Sequence, residues 1–282
     1  LTTRADMLML GGGNPAAVPE VQTLWRRRMR ELLDGGSGFD RMLGNYDPPG
    51  GNPAFREAFA ALLHRSFGWD VQAANVAVTN GTQTAAFFLF NLLGGRSRTA
   101  DRRRLLLPLS PEYVGYADQV VEAGTFLSCR PLIDWPAGPS ARRFKYCLDF
   151  EAIEQALRRG DVAAMALSRP TNPSGNVVTQ AELNRLVDLA ERFGAVLIVD
   201  NAYGSPFPGI LFEDVHPVFA PHVVNLFSLS KLGLPGARTG IVVAAAPLVA
   251  DVQAMTAVVG LANGNLGQQL VLPLVAGILA FA

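Results

Sequence analysis

The sequence contains few cysteines and few histidines. Among 282 residues there are two cysteines and three histidines, namely Cys129, Cys147, His64, His216 and His222. They are scattered, and none has the spacing of a zinc site or of a serine–histidine catalytic pair. We therefore expect two free thiols, three structural histidines, no metal and a reducing compartment.

The sequence also lacks net charge, a charged leader and a long apolar run. Its 24 basic and 24 acidic residues balance to a formal charge of +0, which argues against nucleic acid as a partner. The one basic run, Arg26, Arg27, Arg28 and Arg30, lies in a helical pattern and is expected to form a solvated helix face. Without a signal sequence or a membrane-length apolar run, we expect no membrane partner and a cytoplasmic location.

Lysine is the scarcest charged residue, since only Lys145 and Lys231 occur among the 24 basic residues. A Schiff base with an aldehyde requires a lysine amine. Lys145 lies in the polar segment RRFKYCLDF, whereas Lys231 follows an apolar run in SLSKLGLPGARTG. A lysine is usually a solvated surface charge, but a lone lysine at a strand end in apolar surroundings favours Lys231 as a catalytic residue.

Apolar residues are abundant, at 49% of the chain, and they form runs typical of buried strands. Seven runs predict strands at 76–79, 105–109, 125–129, 164–168, 195–200, 223–229 and 240–245. Amphipathic helical patterns lie between them. One runs from Asn52 to Gly68, and another, which opens with a capping box, runs from Thr179 to Gly194. This alternation predicts an α/β fold with a central, mostly parallel sheet.

Polar residues cluster directly after these runs, where open α/β sheets carry their chemistry. The segment VAVTNGTQT is typical of a strand, a glycine turn and a helix, so the N–H groups of Gly81, Thr82 and Gln83 form a candidate anion site. Asp200 ends the run AVLIVD, where a carboxylate needs a partner such as a protonated pyridine nitrogen. The other candidates at strand ends are Tyr113, Tyr116, Asn172, Tyr203, Ser228, Ser230 and Arg238.

Each of these features also has a structural explanation. A strand-end carboxylate can cap a loop, an aromatic ring can pack in the core, and an asparagine can form a turn. A strand–turn–helix unit with one glycine is also common without a ligand. Together, however, an anion site, an amide, a carboxylate, a phenol and a lysine at strand ends fit one kind of ligand, a phosphorylated pyridine aldehyde.

The motifs NYDPPGG, TNGTQ, SPEYVGY, SRPTNPSGN, DNAYG and SLSKLGLPGAR resemble the fold-type I pyridoxal 5'-phosphate (PLP) aminotransferases, from Tyr46 to Arg238. The resemblance implies the PLP-dependent transferase fold type I, an α/β fold with a seven-stranded mostly parallel sheet flanked by helices, and part of a smaller α+β domain. It also implies transamination between a small aliphatic amino acid, valine or alanine, and a 2-oxo acid such as pyruvate.

The resemblance further implies roles in catalysis for three residues. Lys231 would form the Schiff base and move the substrate proton, Asp200 would pair with the pyridine nitrogen, and Tyr203 would bind the phenolic oxygen together with Asn172. Tyr113 would stack on the cofactor ring.

It implies binding roles for the remaining motif residues as well. The cofactor phosphate would be held by Gly81, Thr82, Gln83, Ser228 and Arg238. Tyr46 would reach in from the neighbouring subunit of a homodimer. The substrate pocket would be lined by Gly12, Gly13 and Asn172.

Both ends of the sequence look truncated, since Leu1 is not an initiator methionine and 270–282 is an apolar helical pattern. The resemblance implies an N-terminal arm or part of a small domain at 1–40 and a large PLP-binding domain at 41–282. In the family, an arginine of the C-terminal small domain binds the substrate α-carboxylate, and we expect that arginine beyond residue 282.

Three other functions stay open at the level of sequence. An aminotransferase-like regulatory module would bind PLP and sense amino acids without turnover, although no helix-turn-helix or basic DNA-binding segment is visible. A PLP lyase or decarboxylase of the same fold would use the same residues. A nucleotide-binding domain would use TNGTQT as a phosphate loop, but G-x-G-x-x-G and GK[ST] patterns are missing and Lys231 would have no role.

Overall fold

The computed structural model describes residues 13–96, 102–136, 138 and 143–277. The helices are α1 Pro19–Asp34, α2 Ser37–Gly44, α3 Pro53–Phe67, α4 Thr82–Leu93, α5 Phe150–Leu157, α6 Gln180–Phe193, α7 Ala246–Gly260 and α8 Leu266–Val275. The strands are β1 Val76–Thr79, β2 Arg104–Leu107, β3 Phe126–Ser128, β4 Leu132–Asp134, β5 Lys145–Cys147, β6 Val162–Ser168, β7 Val196–Asp200, β8 Val223–Ser228 and β9 Gly240–Val243. Strands and helices alternate along much of this sequence, as an α/β fold requires.

Seven strands form one sheet in the order β1-β9-β8-β7-β6-β2-β3. They are the seven predicted apolar runs, with ends that differ by at most two residues. Strands β3, β2, β6, β7 and β8 pair in parallel, whereas β9 is antiparallel to both β1 and β8. The predicted α/β fold with a mostly parallel seven-stranded sheet is confirmed.

The direction of β9 follows from the length of its connection to β8. Residues 229–239 join the two strands through short 3₁₀ turns, and no helix there is long enough to carry the chain back to the opposite edge. A parallel pair needs such a crossover. Strand β9 therefore returns antiparallel, and its first residue lies at the same edge as the last residue of β8, with Ser228 paired to Gly240.

Helices cover both faces of the sheet. On β1, Val76 and Val78 pack with α1, α3 and α8, whereas Ala77 faces the opposite cluster that contains α4 and α7. The same alternation occurs on β6, where Met165 and Leu167 pack against α5 and α6. Since neighbouring residues of a strand point to opposite faces, strands such as β1 and β6 are buried on both sides in a three-layered domain.

Strands β4 and β5 form a separate antiparallel pair that the sequence did not predict. Each has three residues, Leu132–Asp134 and Lys145–Cys147. Three-residue strands are too short to show an alternating pattern. Their pairing depends on the contact of Ile133 with Tyr146, which local sequence does not reveal.

The predicted helix ends are confirmed. In α3 the Asn52 side chain accepts a hydrogen bond from the N–H of Phe55, and Gly68 adopts the left-handed conformation after the last turn. In α6 the capping box of Thr179 and Glu182 is formed, and Gly194 is left-handed at its end. These caps fix where each helix begins and ends relative to the neighbouring strands.

The arginine run of α1 is only partly solvated, so that prediction is wrong for one residue. Arg26, Arg27 and Arg30 are exposed, but Arg28 is 8% exposed and its Nε donates to the carbonyl of Leu270 in α8 at 3.1 Å. The amphipathic pattern alone cannot show this contact, because α8 lies some 240 residues away in the sequence. Arg28 thus fastens the N-terminal helix to the domain.

In the part of the chain that the structure describes, both cysteines and two of the three histidines have the structural surroundings expected of them. Cys129 and Cys147 are both free thiols. His64 Nδ1 lies 3.1 Å from the carbonyl of Trp69, and His222 Nε2 lies 3.1 Å from that of Val187. Among the described residues, no cluster of histidine, cysteine or acidic side chains suits a metal ion, and no helix has the length and hydrophobicity to cross a membrane.

Candidate active site

A cleft of about 690 Å³ lies at the carboxyl edge of the parallel strands. It is lined by Gly13, Thr82, Gln83, Tyr113, Val114, Ser168, Asn172, Pro173, Asp200, Ala202, Tyr203, Ser228, Ser230, Lys231, Pro235 and Arg238. Ten of these are residues that the sequence singled out for cofactor or substrate binding. They come from seven separate stretches of the chain, and the ends of β6, β7 and β8 bring most of them together.

Lys231 lies in the 3₁₀ turn that follows β8. Its Nζ donates a hydrogen bond to the carbonyl of Gly13 and lies 4.9 Å from the centre of the Tyr203 ring. The side chain is partly exposed and borders the cleft. Lys145, in contrast, lies in β5, where its Nζ donates to the carbonyl of Val177 outside the cleft.

Asp200, the last residue of β7, is a buried carboxylate at the floor of the cleft. It is 7% exposed, and it accepts hydrogen bonds from the N–H of Ala202 at 2.9 Å and from the hydroxyl of Tyr116 at 3.1 Å. Burial raises the pKa of Asp200 to about 6, because the charged form loses hydration. The ionised carboxylate would therefore strongly stabilise the cationic form of a group placed beside it.

The N-terminus of α4 provides hydrogen-bond donors at another side of the cleft. The N–H groups of Thr82 and Gln83 have no acceptor among the described residues, as is usual in a first helical turn. The N–H of Gly81 was expected to be a third free donor, but it bonds to the carbonyl of Thr79 at 2.7 Å. Gly81 has a positive φ of 87°, and it does not line the cleft.

Gly81 and Arg238 lie in direct contact near this helix end. A Cβ on Gly81 would come within 2.2 Å of an Arg238 guanidinium nitrogen, so a larger residue there would displace the end of the arginine side chain. Arg238 Nη2 donates to the carbonyl of Asn80 at 3.3 Å. Ser228 contributes a hydroxyl, whose oxygen accepts the N–H of Ser230 at 3.1 Å. A guanidinium, a hydroxyl and free amides together form a site for a phosphate group.

Tyr113 and Asn172 both border the cleft, and one network of hydrogen bonds connects them. The Tyr113 ring packs edge-on against Tyr116, with ring centres 5.3 Å apart. The N–H of Asn172 donates to the hydroxyl oxygen of Ser168 at 3.1 Å. That hydroxyl in turn contacts Glu112, a residue for which the sequence suggested no role.

Glu112 is the main residue that sequence reasoning missed. Its carboxylate accepts the N–H of Ser168 at 2.8 Å, the N–H of Tyr113 at 2.7 Å and the hydroxyl of Ser168. Its pKa is raised to about 7, mainly by burial and to a smaller extent by the charge of Asp200, while the hydrogen bonds from Ser168 and Tyr113 oppose the rise. The only signal in the sequence is an acidic residue in the turn SPE after an apolar strand, which is usual for a simple turn.

Two of the predicted site residues, Gly81 and Tyr46, do not line the cleft. The amide of Gly81 is bonded to Thr79, as described above. Tyr46 is 81% exposed on the loop after α2, outside the cleft of its own subunit. Gly12 lies outside the described residues.

Comparisons with known proteins agree with this geometry. Residues 6–280 match the sequence profile of the family Aminotransferase class I and II. The valine–pyruvate aminotransferase of Escherichia coli K12 is 43% identical over 261 residues, which are 92% of this chain and 61% of that protein. A (S)-3,5-dihydroxyphenylglycine transaminase of Amycolatopsis orientalis is 32% identical over 62% of this chain and 38% of its own length.

A solved structure gives the same result. The crystal structure of a valine-pyruvate aminotransferase from Salmonella typhimurium LT2 superposes with a TM-score of 0.83 at 40% identity, covering 96% of this chain and 66% of that one. The chain thus spans about three fifths of the length of the Escherichia coli relative. Because the match extends over almost all of this sequence, the chain belongs to the aminotransferase class I and II family.

Proposed function

We propose that the protein is a PLP-dependent transaminase that moves an amino group between a small aliphatic amino acid, valine or alanine, and a 2-oxo acid such as pyruvate. One observation carries the proposal: the Lys231 amine, the buried Asp200 carboxylate and the phosphate site at α4 border a single cleft. The substrates are proposed from the names of the relatives from Escherichia coli and Salmonella typhimurium.

The described residues fit pyridoxal phosphate. The free N–H groups of Thr82 and Gln83 suit its phosphate, together with the Ser228 hydroxyl and the Arg238 guanidinium. We assign Gly81 to the same site because it lies against Arg238, and not as a hydrogen-bond donor. Asp200 is buried and suits a protonated ring nitrogen. We assign Tyr113 to stacking on the ring and Asn172 and Tyr203 to its phenolic oxygen.

When bound, pyridoxal phosphate supplies an aldehyde for the lysine amine and a ring that withdraws electrons from the substrate. Asp200 keeps the ring nitrogen protonated, because a buried carboxylate favours an adjacent cation. The Nζ of Lys231 holds the cofactor and then takes and returns the substrate α-proton. Asp200, Tyr203 and Lys231 therefore form the proposed catalytic set.

The remaining assignments concern the substrate and the assembly. Gly12 and Gly13 with Asn172 would border the substrate, and Gly13 already contacts Lys231. Among the described residues lining the cleft, Arg238 is the one arginine, and it belongs to the phosphate site. The α-carboxylate arginine is accordingly proposed beyond residue 282. The arm 1–40, the large domain 41–282 and a homodimer to which Tyr46 contributes complete the proposal.

The test is cofactor loading and turnover in the longest form of the protein that its gene encodes. The wild type should develop the visible absorption of bound PLP, lose it on addition of valine or alanine, and release the matching 2-oxo acid. Borohydride reduction should fix the cofactor to the peptide that contains Lys231. Lys231→Ala should lower turnover by about 10³-fold or more, because both attachment and proton transfer are lost.

Lys145→Ala is the matched control, since it removes the other lysine of the chain at a place outside the cleft. It should load and turn over like the wild type. Cofactor binding without conversion by any amino acid would instead support a regulatory module or a lyase. Failure to bind PLP at all would overturn the proposal.

A further inference from the structure

The carboxylate of Glu112 connects two segments that border the cleft. Its Oε1 accepts the N–H of Tyr113 at 2.7 Å, and its Oε2 accepts the N–H of Ser168 at 2.8 Å. It also accepts the hydroxyl of Ser168, whose oxygen accepts the N–H of Asn172 at 3.1 Å. One side chain thus joins the segment after β2, which carries Tyr113, to the segment after β6, which carries Asn172.

A carboxylate is an unusual group for a purely structural link at this position. Glu112 is largely buried, and no lysine, arginine or histidine of the described chain forms an ion pair with it. The nearest charge is also acidic: Asp200, which accepts the neutral Tyr116 phenol as a hydrogen-bond donor. A carboxylate that is shielded from water destabilises a fold unless hydrogen bonds or a cation compensate for its lost hydration, and here hydrogen bonds alone compensate.

The three donors explain why a carboxylate is needed. Two oxygens accept two backbone N–H groups and one hydroxyl. A glutamine has the same size but a single acceptor atom, so its NH₂ group would face either the N–H of Tyr113 or that of Ser168. One backbone donor would then be left without a partner, which makes the carboxylate form specific to this arrangement.

We propose that Glu112 is a positioning residue for the cofactor: it fixes Tyr113 directly and Asn172 through the Ser168 hydroxyl, and so sets the distance between the ring-stacking and amide groups. The inference rests on the proposed function, because it assumes that these two residues bind the PLP ring. It assigns no contact between Glu112 itself and the cofactor. Ser168 is the intermediate through which the effect on Asn172 passes.

The test is a double-mutant cycle on cofactor affinity. The dissociation constant of PLP is measured by absorbance titration for the wild type, Glu112→Gln, Ser168→Ala and the double variant, with thermal unfolding of each ligand-free protein. Glu112→Gln should weaken PLP binding about tenfold and Ser168→Ala by less. The double variant should bind about as weakly as Glu112→Gln alone, because both changes break the same chain of hydrogen bonds.

A spectroscopic signature separates positioning from loss of stability. The visible circular dichroism of bound PLP reports the orientation of its ring in an asymmetric site, so it should change in Glu112→Gln even at saturating cofactor. Glu151→Gln is the matched control, since it makes the same chemical change at an exposed position on α5. It should alter neither the affinity nor the dichroism.

Two results would overturn the inference: equal affinity and dichroism in Glu112→Gln and the wild type, or effects of the two substitutions that simply add. If Glu112→Gln does not fold, Ser168→Ala carries the test, because it keeps the backbone bond to Glu112 and removes only the relay. An unchanged affinity in that variant would then decide against the inference. A wild type that does not bind PLP would remove the proposed function as well, so the two failures are distinct.

Discussion

Two carboxyl groups, the buried Asp200 and the partly buried Glu112, dominate the chemistry of the cleft at the scale of single residues. Burial raises the pKa of Asp200 to about 6 and that of Glu112 to about 7. Neither has a cation partner among the described residues, although Lys231 lies close enough to lower the pKa of Asp200 slightly. In the free protein these two carboxylates are shielded from water and lack a cation, which disfavours their charged forms. Such an arrangement is expected where a cationic ligand binds.

Asp200→Asn should stabilise the ligand-free protein at neutral pH. In the wild type the folded state holds the Asp200 proton up to about pH 6, whereas the unfolded chain loses it near pH 4. Stability therefore falls as the pH rises through this window. The asparagine avoids this loss, so the free energy of unfolding of the variant should exceed that of the wild type by about 1–3 kcal/mol at pH 7.5. The difference should become smaller as the pH falls toward 4. Denaturant unfolding across this range measures the difference.

Asp188→Asn serves as the control for that measurement, because Asp188 is an exposed carboxylate on α6. It should leave the free energy of unfolding nearly unchanged at every pH. A variant at Asp200 that is less stable than the wild type at pH 7.5 would show that its hydrogen bonds to Tyr116 and Ala202 outweigh the burial of its charge.

At the scale of elements, the close packing of β9 against the start of α4 holds the phosphate site in place. A Cβ on Gly240, the first residue of β9, would lie 2.4 Å from the carbonyl carbon of Gly81 and 2.5 Å from the nitrogen of Thr82. These are backbone atoms, which cannot turn aside as a flexible side chain would. The strand and the helix can approach this closely only because the residue between them is glycine.

Gly240→Ala should therefore displace the N-terminus of α4. We expect a loss of about 1–3 kcal/mol in the free energy of unfolding, as for other overpacked sites, together with weaker binding of PLP and of inorganic phosphate. Gly38→Ala is the control, since a Cβ there meets nothing within 4 Å and Gly38 lies in helix α2. That change should be neutral or slightly stabilising. Unchanged phosphate affinity in Gly240→Ala would contradict this account.

The elements that could be predicted from sequence are those with a long or chemically marked pattern. Seven apolar runs gave the seven strands of the main sheet, and the capping residues of α3 and α6 gave their ends. The hairpin β4–β5, the burial of Arg28 and the role of Glu112 could not be predicted. Each depends on contacts between segments far apart in the chain, and its local sequence is ordinary.

The candidate site was more predictable than its supporting network. Lys231 and Asp200 stand out because their residue types are rare or unfavourable at apolar strand ends. Glu112 lies in an acidic turn of a common kind, and its burial appears only when β2 and β6 pair. The bonded amide of Gly81 was missed for a similar reason, since a positive φ cannot be deduced from a single glycine.

At the scale of the whole molecule, the position of Tyr46 suggests an assembly. Its side chain is 81% exposed and lies outside the cleft of its own subunit. We expect it to enter the cleft of a neighbouring subunit in a homodimer. Mixing Lys231→Ala subunits with Tyr46→Ala subunits tests this, because each mixed dimer would then contain one site in which both residues are intact.

After random exchange, about half of the dimers are mixed and one site in each is complete, so activity should recover to about a quarter of the wild-type level. The activity of each variant alone gives the baseline. Native mass spectrometry shows whether mixed dimers form. If they form and activity does not recover, Tyr46 lies outside the neighbouring site.

Strand β1 pairs only with β9 in the main sheet, and its partner residues lie about 160 residues later in the chain. During synthesis on the ribosome, β1 emerges early but has no strand to bond with until β9 follows. Until then the backbone edge of β1 that pairs with β9 is open, and an open strand edge can pair with other chains. Completion of the phosphate end of the cleft is therefore a late event in translation. A nascent chain that stalls before residue 240 would bind chaperones rather than the cofactor.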